Sequence, residues 1–179
     1  NFQAMGDLIM FTSVLKHYRR RFPNAEITLL LKAGTGMDAY LERHFVHRVI
    51  AVPYRRLAGD PWFGFGFVNR LRRIGFATVM NYDFSAVDAV GRMVGLELGA
   101  ENTMGYEGQR IDFENPTGPQ QALLLRYARN HILPRYTKLI PAVSEDIEHD
   151  GRVPSHVAHY IAMYEAATGF REDDYATTL

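Results

Sequence analysis

The sequence contains no cysteine. A disulfide scaffold, a thiolate zinc site and a cysteine nucleophile are therefore excluded from this stretch of chain. It has no excess of either charge: 20 basic residues balance 20 acidic ones. That argues against a bulk nucleic-acid binder, which is normally basic overall, while leaving room for a local basic patch. No apolar run reaches the ~18 residues that a transmembrane helix needs, and no signal peptide is visible. A Walker loop, a Gly-x-Ser-x-Gly elbow and a Gly-x-Gly-x-x-Gly fingerprint are all missing, which disfavours conventional P-loop and dinucleotide enzymes. There is no internal repeat and no low-complexity segment.

What is present is enough apolar material for a core. Hydrophobic residues make up 47% of 179 positions, so disorder is not expected and the length suits one domain or slightly more. The chain opens on Asn1, inside what reads as a strand-to-helix loop with Gly6-Asp7 at its turn. That start predicts a fragment whose first strand has been cut away.

From Gly6 to Arg21, Leu8, Phe11, Leu15, Tyr18 and Phe22 recur at helical spacing and predict one apolar stripe. Lys16, Arg19, Arg20 and Arg21 crowd the last turns, where cations suit the negative end of the helix dipole. Glu26 to Lys32 is a nearly continuous apolar run, the pattern of a strand buried on both faces of a parallel sheet. A short helix is expected over 37–43 and a second strand over Arg48 to Val52. A polar loop with Arg55-Arg56 should follow. Asp60-Pro61 is an N-cap followed by proline at the first helical position, with Gly75 as the stop. Further strands are expected at Thr78 to Tyr82 and Asn102 to Tyr106, around a helix capped by Ser85. Strands alternating with helices across short connections predict a doubly wound, Rossmann-like parallel α/β sheet over 1–110. Residues 111–179 read as a helical extension without a clear strand: a helix from Gln120 to Leu133, an acidic loop over 144–151, and a last helix with Val157, Ile161 and Tyr164 on one face, ended by Gly169.

Several groups are candidates for chemistry. Asp7, at a helix N-terminus and at the carboxyl edge of the expected sheet, is placed where a charged carboxylate is favoured and where open α/β folds bind ligands. Such a group can take a proton from an attacking hydroxyl; the plainer reading is an ordinary first-turn acid. Arg55 and Arg56 can hold phosphates by forked hydrogen bonds, or form a solvated face. Arg70, Arg72 and Arg73 fit the solvated face better. Trp62-Phe-Gly-Phe-Gly-Phe67 sets four aromatics beside the arginine pair, in reach of a lipid surface or packed into the core. His44, His47, His149, His156 and His159 form no recognised metal motif. Ser85 and Asp88 are a cap and a first-turn acid, with Asp83 beside them.

Taken in order, Met5-Gly-Asp-Leu-Ile-Met-Phe-Thr12, then Tyr18-Arg-Arg-Arg-Phe-Pro-Asn-Ala-Glu-Ile-Thr-Leu-Leu29, resemble the opening of the heptosyltransferase-type glycosyltransferases, family 9. Val49-Ile-Ala-Val52, Leu71-Arg-Arg73, Ala77-Thr-Val-Met-Asn81 and the segment from Ser85 to Gly95 keep the family order. His156 to Gly169 resembles the family's linker helix. Residues 109–152 match little. Phe11-Thr-Ser13 stands where the family has Thr-Thr-Pro, Asn81 where Asp is frequent, and Asp88 where Arg is common. The resemblance implies the N-terminal half of a GT-B enzyme, with the nucleotide sugar, ADP-heptose in the type members, bound mainly by a second domain absent from this chain. It implies inverting transfer to an anionic glycolipid of the lipopolysaccharide type, without metal or other cofactor. Asp7 is then the general base, and Gly6, Thr12, Arg55 and Arg56 contact the acceptor. The setting implied is cytoplasmic, peripheral to the inner membrane, with no nucleic acid. The other readings are a glycosyltransferase of the same fold with a different donor and acceptor, and a non-catalytic module for anionic lipid.

Overall fold

In the computed structural model the chain is described over residues 5–34, 36–82, 89–107, 118–141 and 155–175. Among these residues it forms a mixed α/β structure with two small parallel sheets. Its residues gather into two compact units, one of 1–53 with 148–179 and one of 54–147.

In the first unit, helix α1 (Met5–Arg21) leads to strand β1 (Thr28–Lys32), helix α2 (Asp38–His44) and strand β2 (Arg48–Val52). The two strands pair in parallel, Thr28 beside Arg48 through Lys32 beside Val52. Parallel pairing requires a crossover between the strands, and α2 provides it. The predicted stripe of α1 is buried at Leu8, Phe11, Leu15 and Tyr18, but Phe22 is exposed. The helix is also covered along a second side, where Thr12, Ser13 and His17 are buried. A helix covered nearly all round must satisfy its polar side chains internally. Thr12 and Ser13 do so by donating to the carbonyls of Ile9 and Met10, at 2.6 and 2.7 Å.

Helix α7 (Ser155–Thr168) packs on α1. Its packed residues are Val157, Tyr160, Met163 and Tyr164, while Ile161 is only half-buried. The Phe11 and Tyr160 rings meet edge-on with centroids 5.3 Å apart, and those of Tyr18 and Tyr164 do so at 4.9 Å. Gly169 takes φ 73° and its N–H returns to the Glu165 carbonyl at 2.8 Å, a left-handed cap that favours glycine. Residues 170–175 then fold back along α1. The Arg21 guanidinium lies 3.4 Å from the Phe170 ring centroid, Lys16 pairs with Asp174 at 3.3 Å, and the His17 Nε2 lies 2.6 Å from the Asp174 carbonyl.

The second unit begins with helices α3 (Tyr54–Gly59) and α4 (Pro61–Arg72). The Asp60 carboxylate caps α4 by accepting from the Phe63 N–H at 2.9 Å, as its sequence predicts. Strand β3 (Thr78–Met80), helix α5 (Ala89–Leu96) and strand β4 (Asn102–Tyr106) follow. Helix α6 (Pro119–Tyr127) widens into a π turn over Ala128–Ile132 and tightens into a 3-10 turn over Leu133–Arg135, before strand β5 (Lys138–Ile140). The three strands run parallel in the order β3-β4-β5, with Met80 beside Met104 and Met104 beside Lys138.

Two expectations are corrected. The segment with Arg55-Arg56 is helix α3, not a loop: Tyr-Arg-Arg-Leu-Ala has no breaker before Gly59. The stretch after residue 110 does contain a strand, β5. It is too short to show a period of its own and is held by pairing with β4 and by a double exchange between threonines. Thr137 donates its hydroxyl to the Thr103 carbonyl at 2.9 Å, and its Oγ1 accepts the Thr103 N–H at 2.9 Å. Ser85 and the acidic loop over 144–151 lie outside the described residues.

Candidate functional site

Asp7 lies in the first turn of α1, with Gly6 in the same turn rather than in a loop before it. The acid faces the positive end of a 17-residue helix whose last turn carries Arg19, Arg20 and Arg21, so both ends complement the dipole. Asp7 is half-buried. Its negative charge is felt at the Tyr160 hydroxyl of α7, whose pKa is raised chiefly by burial and further by Asp7. A carboxylate and a phenol that holds its proton therefore share the start of α1.

Thr12 is fully buried and its hydroxyl donates to the Ile9 carbonyl. Arg55 and Arg56 are both exposed on α3. The Arg56 guanidinium lies 4.0 Å from the Phe63 ring centroid and 3.9 Å from the Asp60 carboxylate. Asp7 belongs to the first unit and the arginine pair to the second, so each group stands within its own unit.

The other arginines serve as the solvated-face reading expects. Arg72 pairs with Glu97 at 2.8 Å, and the other oxygen of Glu97 holds Arg135 at 2.5 Å. Arg70 lies 5.5 Å from the Phe67 ring centroid. The aromatic run divides: Phe67 is core, Phe63 half-buried, and Trp62 and Phe65 point to solvent. Among the described residues no group of three His, Asp or Glu side chains is arranged to hold a metal ion. His47 has a structural task, its Nδ1 accepting from the Ile27 N–H at 3.0 Å. Asp83 and Asp88 lie outside the described residues, as do His149 and the His156 side chain.

No protein-family model, curated protein or solved structure matches the chain.

Sequence reasoning missed Arg92. It lies on α5 with 0% exposure and donates to the Tyr106 carbonyl at 2.8 Å, at the carboxyl end of β4. Asn81 and Tyr82 are buried just past β3, and Asn81 donates to the Tyr136 hydroxyl at 3.0 Å. A buried guanidinium and a buried amide thus gather at the edge where parallel sheets receive ligands. The signal was available in Ala89-Val-Gly-Arg-Met-Val-Gly-Leu96, a lone charge in an apolar helix. No helix among the described residues is long and apolar enough to cross a membrane.

Proposed function

We propose that this chain is the acceptor-side half of an inverting glycosyltransferase with a Rossmann-like, GT-B architecture, related to the family 9 heptosyltransferases it resembles. The acceptor is an anionic glycolipid of the lipopolysaccharide type, the donor a nucleotide sugar such as ADP-heptose, and the setting the cytoplasmic face of the inner membrane. The observation that supports this reading is Asp7, a half-buried carboxylate in the first turn of α1 beside Tyr160.

In this reading Asp7 removes the proton of the acceptor hydroxyl as its oxygen bonds to the anomeric carbon. The bond from that carbon to the nucleoside diphosphate breaks, and the diphosphate leaves with the electron pair. Attack from the face opposite the leaving group inverts the centre, through a transition state of oxocarbenium character. Arg55 and Arg56 supply forked donors to acceptor phosphates.

The test is sugar transfer by the protein carrying its native flanking sequence. Asp7→Asn keeps the size and removes the base. It should lower kcat by about 10²–10⁴-fold with little change in acceptor KM. Transfer near the wild-type rate would show that Asp7 is not the base. Productive transfer from a different sugar nucleotide only would keep the enzyme and replace its donor.

A further inference from the structure

Helix α4 has two unlike sides. Phe67 and Leu71 are buried, whereas Trp62 is 86% exposed and Phe65 65% exposed. Their three-residue spacing sets both rings on one outward side. Gly66, one turn beyond Trp62, adds no bulk there: a Cβ at that position would meet nothing within 4 Å. Beside the rings, Arg55 and Arg56 are exposed on α3, and Arg70 and Arg73 at the far end of α4. Residues 54–73 carry five arginines against one acid, Asp60; of the five, Arg72 is engaged with Glu97 and Arg56 lies 3.9 Å from Asp60.

We infer that the α3–α4 corner is an interfacial anchor that seats on an anionic lipid surface. Aromatic rings on a convex helix suit the boundary between headgroups and acyl chains, while flanking arginines meet lipid phosphates. Two exposed rings offer roughly 300–500 Å². That is less than the ~800 Å² per partner that a stable protein interface buries, and adequate for shallow insertion. Single-stranded nucleic acid also pairs aromatics with cations, and an oligonucleotide therefore enters the test as a competing occupant. The inference stands on α3 and α4 alone and does not rest on Asp7 or on a glycosyl transfer.

Trp62 is the sole tryptophan, so its fluorescence reports this corner directly. The whole chain is mixed with vesicles of phosphatidylcholine, with or without phosphatidylglycerol. A blue shift of the emission, and quenching by brominated acyl chains, are expected with the anionic vesicles and not with the neutral ones. Binding should weaken as salt rises, because the attraction is screened. Phe65→Ala and the pair Arg55→Glu with Arg56→Glu should each weaken binding to the anionic vesicles about tenfold or more. All three positions are exposed, and circular dichroism checks that the variants keep their fold. An emission that stays unmoved by anionic vesicles overturns the inference. So does a shift caused by a single-stranded oligonucleotide, or by raising protein concentration without lipid, when vesicles cause none.

Discussion

Replacing Gly105 by alanine should destabilise the second unit far more than the addition of one methyl group suggests. Gly105 sits within β4, beside Leu139 of β5. A Cβ built there would lie 2.6 Å from Cε1 of Tyr136, 2.7 Å from Cζ and 3.0 Å from Cδ1, where carbon atoms normally stand about 3.5–4.0 Å apart. The ring must move by about 1 Å, and it is held from two directions. Its hydroxyl accepts the Asn81 amide at 3.0 Å, and it packs in a cluster with Leu96, Ala128, Ile132 and Leu133. Overpacking of this kind costs about 1–3 kcal/mol, and displacing the hydroxyl adds about 0.5–1.5 kcal/mol. Alanine in a strand recovers about 0.5–1 kcal/mol of backbone entropy. The net expectation is about 2–3 kcal/mol, read as a shift in the urea midpoint followed by far-ultraviolet circular dichroism. The decisive comparison is a double-mutant cycle with Tyr136→Leu, which removes the ring atoms that Cβ would strike. In that background Gly105→Ala should fall within about 0.5 kcal/mol of neutral. Additive penalties, or a single-mutant cost below about 0.5 kcal/mol, would refute the steric account.

Three buried or half-buried phenols give a pH prediction. Tyr160, Tyr164 and Tyr175 are all raised from the ordinary value of 10.0, chiefly by burial, with Asp7 adding for Tyr160 and Glu172 for Tyr164. Above pH 10 the unfolded chain releases these protons while the folded chain keeps them. Stability is therefore intact below that pH and falls as pH rises beyond it. Absorbance near 295 nm should show these phenolates forming together with alkaline unfolding, and a smooth titration at the ordinary value in the folded protein would contradict the burial. His17 tests the segment that folds back over α1. Its ring is 1% exposed, and its centroid lies 5.2 Å from that of Tyr175. His17→Ala should cost about 2–4 kcal/mol through the cavity and the lost hydrogen bond. Limited trypsin digestion should then cut faster after Arg171, and an unchanged cleavage rate would show that His17 does not hold that segment.

How much of this was legible depends on whether a feature is local. The strands Arg48–Val52 and Asn102–Tyr106 and the Asp60 cap could be read from composition and spacing, since each is set by its own residues. Helix α3 was misread because Pro53 and the arginine pair suggest a loop, although nothing in 54–58 resists helix. Strand β5 was invisible because Lys138-Leu-Ile140 becomes a strand only against β4. The same limit applies to the candidate site. Asp7 at the head of α1 was plain from the sequence. The buried position of Arg92 and the Tyr160 neighbour of Asp7 arise from packing between different elements, which no local pattern displays. The aromatic run could be read as core or as surface, and the helix divides it between the two, with Phe67 inward and Trp62 outward.

The pairing of α1 with α7 has a consequence for the order in which the chain folds. The first unit is made from both ends of the sequence, and the second lies between them in the chain. Residues 54–147 can close on themselves as soon as they are available. Helix α1 must wait for α7, whose first residue follows the last of α1 by more than a hundred positions. At a synthesis rate of about 5–20 residues per second, Leu8, Phe11 and Tyr18 spend on the order of ten seconds without the partners that finally cover them. Closing so long a loop adds little free energy beyond a shorter one, so the burden is kinetic. A newly made chain is most prone to aggregate in that interval, and a chaperone that shields exposed apolar helices would act on α1 first.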